Sequence, residues 1–426
     1  MGKIRLLYVG DYSNTGFGTV AKGLLRGLHK TDKYDITQVG INVSDEDRID
    51  DPWKVLPASD WAVEGDEAYA TDPFGYKRMK TYVENFDPDI VFINNDFPVA
   101  KLYLEDKKGK PTYLANHRSV KVLYAPVDSE PVPPLFAEVA LMYDLTIAYS
   151  DWQRQMMAEH DPLFAFMPIL YHGYNDSALK PLDKAQARSE LAEIFAKYND
   201  GVSPDDFKPM LEKAFLIYFV GTNQFRKDIP CLFRAVALLQ EEVPNAYLIP
   251  QTNAVPKTDD GWILTNLQGL TGLKNAVLMK RANIFTEEEM NVMYNAADVL
   301  AYPTRGEGFG LPSLEAMAVK TPVVATRFGP QEELHKDGRG YFIDIRDVIP
   351  GMFGWTYFVL PDHRSLYKQL KFVHDNPEHA KETAERAYEW AKDMTWDNQA
   401  LELDQILSRI PRQDGEVLND SQLSSN

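Results

Sequence analysis

Residues 301–326 read AYPTRGEGFGLPSLEAMAVKTPVVAT, with seven residues separating Glu307 from Glu315 across a Gly-Phe-Gly loop. The apolar run Asp298–Tyr302 predicts a short buried strand, and Gly308 and Gly310 supply freedom for a tight turn. Pro312 suits the first turn of a helix, where a missing N–H costs nothing. The amides of Phe309, Gly310 and Leu311 then face whatever lies on the helix axis. Such a helix start attracts phosphate through unpaired N–H groups and the positive end of the macrodipole. Glu315 follows about one turn into the helix, on the same side. The competing reading is an ordinary amphipathic helix with two solvated glutamates.

Working outward, strand-like runs alternate with helical ones along most of the chain, which predicts parallel sheets covered by helices. Ile4–Val9, Asp89–Ile93, Val120–Ala125 and Leu145–Tyr149 form one set of expected strands. Phe215–Val220, Ala246–Pro250, Ala276–Met279, Val299–Tyr302 and Pro322–Ala325 form a second, so two Rossmann-like domains are expected. The polar, helix-prone stretch 180–213 separates the sets. The segment 45–70, rich in Asp, Glu, Pro and Trp, interrupts the alternation and reads as irregular surface structure. The resulting division is 1–173, 174–394, a closing helix at 395–410 and a flexible tail at 411–426 with no apolar periodicity.

Composition limits the function classes. The chain has 426 residues, 44% hydrophobic and 25% charged, enough for two separate cores. The single cysteine, Cys231, excludes an internal disulfide framework and a thiolate zinc cluster. No apolar run approaches the roughly 18 residues that span a bilayer, and the start MGKIRLLYVGD enters a strand directly, so a soluble cytoplasmic protein without a cleaved signal is expected. A net charge of −18 opposes generic attraction to nucleic acid or anionic membrane. Small positive patches at Lys107, Lys108 and Lys110, or at Lys22, Arg26 and Lys30, remain compatible with that balance, as do plain solvated helix faces.

The string EGFGLPSLE, followed by PVVAT and then Gly329-Pro-Gln-Glu-Glu, resembles the retaining, nucleotide-sugar-dependent glycosyltransferases of family four, which have the GT-B fold. The resemblance implies two Rossmann-like domains facing a central cleft, with the last helix crossing back to the N-terminal domain. It implies that Glu307 lies by the donor sugar, that Gly308, Phe309, Gly310 and Leu311 hold the diphosphate, and that Glu315 binds the ribose. Lys280 to Ile284 match the element bordering the nucleobase, which places Arg281 and Ile284 there. The first strand ends in VGDYSNTGFGTVAKGLLRGL, a second strand-to-helix junction. By resemblance Gly16 and Gly18 face the donor diphosphate, although a bland tight turn is the alternative.

Breaking a sugar bond to a nucleoside diphosphate builds negative charge on the leaving phosphate, so a cationic partner is required. The segment FLIYFVGTNQFRKDIPCLFRAVALL provides Arg226 as a planar fork and Lys227 as a point charge, ahead of a helix. Relatives carry an arginine soon after the glycine, where this chain has Thr222 and Asn223, so the division of labour between Arg226 and Lys227 stays open. In KVLYAPVDSEPVPP the loop after the strand offers Asp128 as a catalytic candidate or a simple turn former. His117 reads as structural, and His172 with Gly173 as shaping the passage between domains.

These readings converge on retaining transfer of a sugar from a nucleoside diphosphate donor to an acceptor hydroxyl, with no metal and no cofactor beyond the co-substrate. The acceptor class, whether glycan, lipid, protein or small molecule, is open. Three alternatives stand beside it: a nucleotide-sugar epimerase or phosphorylase, sugar transfer onto nucleic acid bases, and a catalytically silent binding module.

Overall fold

A computed structural model describes residues 2–43, 50–59, 72–198, 203–256, 260–278, 285–351 and 354–410. The chain divides into two compact units. The first holds the residues up to Val127, Val132–Gly173 and the stretch from Met394; the second holds Asp128–Pro131 and Tyr174–Asp393. The loop Asp128–Pro131 therefore packs with the second unit, although the strand before it belongs to the first. The tail 411–426 lies outside the described residues.

In the first unit six strands form a sheet: β1 (Ile4–Asp11), β2 (Tyr34–Ile41), β3 (Lys54–Pro57), β4 (Ile90–Asn94), β5 (Val120–Tyr124) and β6 (Leu145–Ile147). Their order is β3-β2-β1-β4-β5-β6, with every pairing parallel. Near-continuous apolar strands such as Ile4–Val9 and Ile90–Ile93 are what a parallel sheet buried on both faces needs. β2 was not anticipated, because Asp35, Thr37 and Gln38 interrupt its apolar run. Gln38 is nonetheless buried, accepting from Trp53 Nε1 at 3.0 Å. β3 corrects the expectation of irregular structure across 45–70; the flanking residues 44–49 and 60–71 lie outside the described residues.

The helix Trp396–Ser408 packs on the helix Gly16–Lys30 within this unit. Two glycines make the close approach possible. A Cβ at Gly23 would lie 2.2 Å from the Trp396 ring, and one at Gly27 2.3 Å from Ala400 Cβ. His172 is buried between the rings of Tyr149 and Trp396, with burial pulling its pKa down to about 3.

The second unit contains β7 (Phe215–Val220), β8 (Ala246–Gln251), β9 (Val299–Tyr302), β10 (Val323–Thr326) and β11 (Tyr341–Ile343) in the order β11-β10-β9-β7-β8, again all parallel. Ala276 adds a single parallel bridge to Leu248 where a full strand was expected, and Met279 is outside the described residues. An antiparallel ribbon, β12 (Ile345–Pro350) and β13 (Tyr357–Pro361), completes the strands. Thr286 opens the helix Glu287–Ala296 with a capping box to Glu289, as the run TEEEM predicts. Among the described residues no helix is long and apolar enough to cross a membrane.

Chain order reverses direction between β7 and β9 in this sheet. Ligands of open α/β sheets sit beyond the carboxyl ends of the strands at such a switch point. The loops that follow β7 and β9 carry the residues considered next.

Candidate active site

The loop after β7 makes a short 3₁₀ turn, Phe225–Lys227, and the loop after β9 runs from Pro303 to Gly310. The two loops meet through their side chains. Lys227 Nζ donates to Glu307 Oε1 at 2.6 Å and to the Tyr302 hydroxyl at 2.9 Å. Arg226 Nη1 lies 2.8 Å from Glu307 Oε2 and donates to the Gly306 carbonyl at 2.5 Å. Lys227 and Glu307 are each only 7% exposed. Three of the residues expected at the site thus form one ionic cluster with a formal charge of +1, in which Lys227 and Glu307 are buried and Arg226 is partly exposed.

Burial and charge act in opposition on this cluster. Burial alone would raise the Glu307 carboxyl, but Arg226 and Lys227 override it and hold the pKa down to about 2. Glu307 is therefore ionised at neutral pH and suited to accepting hydrogen bonds. Burial pulls Lys227 down to about 8, helped by Arg226 and resisted by Glu307. Arg226 is held more firmly charged, with Glu307 and Asp128 outweighing its desolvation.

Asp128 enters from the loop after β5. Its Oδ2 lies 3.7 Å from Arg226 Nε, and its carbonyl sits where a Cβ on Gly306 would fall, 2.0 Å away. The Tyr357 amide donates to the Glu130 carbonyl at 2.7 Å, tying this loop to β13. Asp128 is thus brought to the cationic turn as a second carboxylate on Arg226.

The helix Leu311–Ala318 starts at Gly310, whose φ of +105° is a left-handed conformation that favours glycine. No side chain caps this helix. A Cβ at Gly310 would strike Gln331 Nε2 at 2.0 Å, and that nitrogen donates to the Phe309 carbonyl at 2.8 Å. The Phe309 ring is buried, leaving Gly308 and Leu311 partly exposed at the helix start. Further along the helix, Tyr294 donates to Glu315 Oε2 at 2.5 Å, and burial pushes the Glu315 carboxyl up to about 7.

Gly16 and Gly18 belong to the first unit. The Gly18 amide donates to Thr15 Oγ1 at 3.1 Å, and Thr15 Oγ1 donates in turn to Asp11 Oδ2 at 2.6 Å. The helix there begins at Gly16. Arg281 and Ile284 lie outside the described residues. His117 contacts Ser119 and Asp87, in keeping with a structural role. Lys22, Arg26 and Lys30 are engaged with Tyr12, Asp51 and Asp397 rather than forming a patch.

Sequence reasoning missed several residues that shape this site. Asn223, standing near where relatives carry arginine, spends its amide on the Asn253 and Trp262 carbonyls at 2.8 and 2.7 Å. Arg305 pairs with Asp228, and Tyr302 receives Lys227. These partners lie tens of residues apart, so no local spacing announces them.

Residues 214–352, which carry every element of this cluster except Asp128, match the glycosyl transferases group 1 family. Curated proteins similar to the chain include D-inositol 3-phosphate glycosyltransferase of Corynebacterium urealyticum, 30% identical over 203 residues, which are 46% of this chain and 44% of the relative. O-antigen chain mannosyltransferase B of Escherichia coli is 31% identical over 152 residues, 34% of this chain and 38% of that protein. The chain spans about half the length, or less, of these curated relatives. Among solved structures, sucrose-phosphate synthase of Thermosynechococcus elongatus superimposes with a TM-score of 0.68 at 17% identity, covering 95% of this chain and 98% of that one. Anabaena HepE in complex with UDP-glucose gives 0.67 at 14%, covering 95% and 99%. The fold is GT-B, two Rossmann-like units, as the resemblance implied.

Proposed function

We propose that this chain transfers a sugar from a nucleoside diphosphate donor to an acceptor hydroxyl with retention and without a metal. The observation that carries the reading is the Arg226–Lys227–Glu307 cluster at the sheet's switch point, beside a helix start that no side chain caps. A diphosphate there meets a guanidinium fork, an ammonium and the positive end of a helix dipole. As the glycosidic bond breaks, charge accumulates on the leaving phosphate oxygen, where preorganised cations are most effective. In front-face transfer the acceptor oxygen bonds to the anomeric carbon on the face the diphosphate leaves, and the acceptor proton passes to the departing phosphate oxygen. Glu307, ionised by its two cationic neighbours, accepts hydrogen bonds from sugar hydroxyls and orients the donor. Asp128 lies beside Arg226 as a second carboxylate facing the reacting groups, and Glu315 offers an acceptor to ribose hydroxyls. The UDP-glucose held by Anabaena HepE supports a uridine donor as the first to try.

The test is a thermal-shift and turnover screen of UDP-, GDP- and ADP-sugars on the wild type and Glu307→Gln. A stabilising nucleoside diphosphate is expected, with at least about a hundredfold loss of transfer in the variant, or ~2.7 kcal/mol of barrier. Product anomers read by NMR check retention, and turnover unchanged in a chelator checks metal independence. Unchanged turnover in Glu307→Gln removes that residue from the mechanism. Donor isomerised without any acceptor would point to the epimerase alternative.

A further inference from the structure

Arg226 and Lys227 sit on a three-residue turn, and a turn of that length does not hold two long side chains in place by its own backbone. Its rigidity comes from the next residues in space. Arg305 and Asp228 form a two-pronged ion pair, Nε to Oδ2 at 3.0 Å and Nη2 to Oδ1 at 3.0 Å. The guanidinium also lies 3.9 Å from the centroid of the Phe225 ring, whose plane is 20° from that of Trp262 at 6.3 Å. The Arg305 amide donates to the Arg226 carbonyl at 2.8 Å, and the Arg305 carbonyl accepts from the Val359 amide at 3.1 Å. One residue therefore grips the turn at Phe225, at Arg226 and at Asp228, leaving only the two cationic side chains to project.

Asp228 is itself in a demanding conformation. Its φ is +41°, and it also caps the helix Ile229–Glu242 through the Cys231 amide at 3.3 Å. Stability alone is a poor explanation for the pair. Both side chains are less than 10% exposed, and Arg305 Nη1 is buried with no hydrogen-bond partner. Buried ion pairs are often no better than apolar replacements, and an unsatisfied buried donor adds a cost. What the pair does supply is direction, because a guanidinium fork on a carboxylate fixes a plane as well as a distance.

We propose that Arg305 is a positioning residue for the donor diphosphate: paired with Asp228 and stacked on Phe225, it aims Arg226 and Lys227 without itself contacting the nucleotide. The proposal rests on the functional reading above and goes beyond it by separating the residues that touch the diphosphate from the one that orients them. Its signature is selective. Losing Arg305 loosens the grip on the phosphates and leaves recognition of the nucleoside, which depends on other elements, as it was.

The experiment uses the full chain as wild type, Arg305→Lys and Arg305→Met. UDP, GDP and ADP are titrated by calorimetry to find the one that binds, and the matching nucleoside is titrated alongside, with melting curves to verify folding. Arg305→Met is expected to weaken the diphosphate at least tenfold while changing nucleoside affinity by less than twofold. Arg305→Lys, which reaches only one carboxylate oxygen, is expected to restore part of the loss; it also serves if the methionine variant does not fold. Equal weakening of diphosphate and nucleoside, or no weakening of either, overturns the proposal. Failure of the wild type to bind any nucleoside diphosphate overturns the functional reading itself, and the two failures are distinguishable because the second appears before any substitution is made.

Discussion

The tripeptide Gly-Phe-Gly occurs at residues 16–18, where it opens a helix, and again at 308–310, where it leads into one, each time after a parallel strand, yet the two helix starts are capped differently. At the first, Thr15 caps the helix through the Gly18 amide, and Asp11 draws Thr15, the Ser13 amide and hydroxyl, and Asn42 around its carboxylate. The positive end of that helix already has an oxygen cap and a nearby anion. At the second, Gly310 stands at the cap position and offers no side chain, while Arg226 and Lys227 stand beside Glu307 in the adjoining loops. Glycines alone do not make an anion site. The two starts differ in whether the residue ahead of the helix takes up a free amide.

The largest expected effect comes from removing the charge that distinguishes the second junction. Lys227→Ala should lower sugar transfer about a thousandfold, ~4 kcal/mol, the range found when one donor to a developing oxyanion is lost. Steady-state turnover with saturating donor checks it, and a loss under tenfold would mean the ammonium does not face the leaving group. Next come the glycines. Gly310→Ala must fit a Cβ against Gln331 at a positive φ and should cost about 2 kcal/mol or more in a denaturant titration. Gly16→Ala meets nothing within 4 Å and should stay within about 0.5 kcal/mol of wild type. Equal penalties at the two sites would show that neither the positive φ nor the Gln331 contact restricts Gly310.

A pH titration probes the cluster more gently. The native Lys227 pKa of about 8 lies below its ordinary value, so above pH 8 the free protein loses this charge while a bound diphosphate favours keeping it. Binding then takes up a proton, and affinity should fall by as much as ~10-fold per pH unit above pH 8, measured by calorimetry in buffers of different ionisation enthalpy. Glu307 behaves oppositely. Its folded pKa of about 2 is depressed, so its contribution to stability is present above the ordinary carboxylate range and is lost as pH falls towards 2. A modest effect is expected from the cap of the first junction. Thr15→Ala should cost about 1 kcal/mol of stability through the lost cap, with donor affinity changed less than stability.

Legibility followed sequence distance. β7 and β9 fall on the expected spans Phe215–Val220 and Val299–Tyr302, because a strand covered on both faces reads as an unbroken apolar run. β2 did not announce itself, since Gln38 resolves its polarity through Trp53 and the Asp11 carbonyl, 15 and 27 residues away. At the site, Arg226, Lys227, Glu307 and Glu315 could be named from the strand-loop-helix pattern around them. That Glu307 takes both cations could not, because the partners are 80 residues apart for Lys227 and the contact exists only once β7 and β9 lie side by side. The Asp228–Arg305 pair, 77 residues apart, was hidden for the same reason. Arg281 and Ile284, expected at the nucleobase, lie outside the described residues.

The helix Trp396–Ser408 completes a unit whose last strand ends at Ile147, 249 residues before Trp396. On the ribosome, the groove at Gly23 and Gly27 stays unfilled until Trp396 and Ala400 emerge, whereas the later-made sheet β7–β11 has all its strands beforehand. The residues that complete the first unit are therefore synthesised after all of the second unit, although domains usually finish in N-terminal order. A nascent chain stalled before Trp396 would expose apolar surface of its first domain and invite chaperone capture.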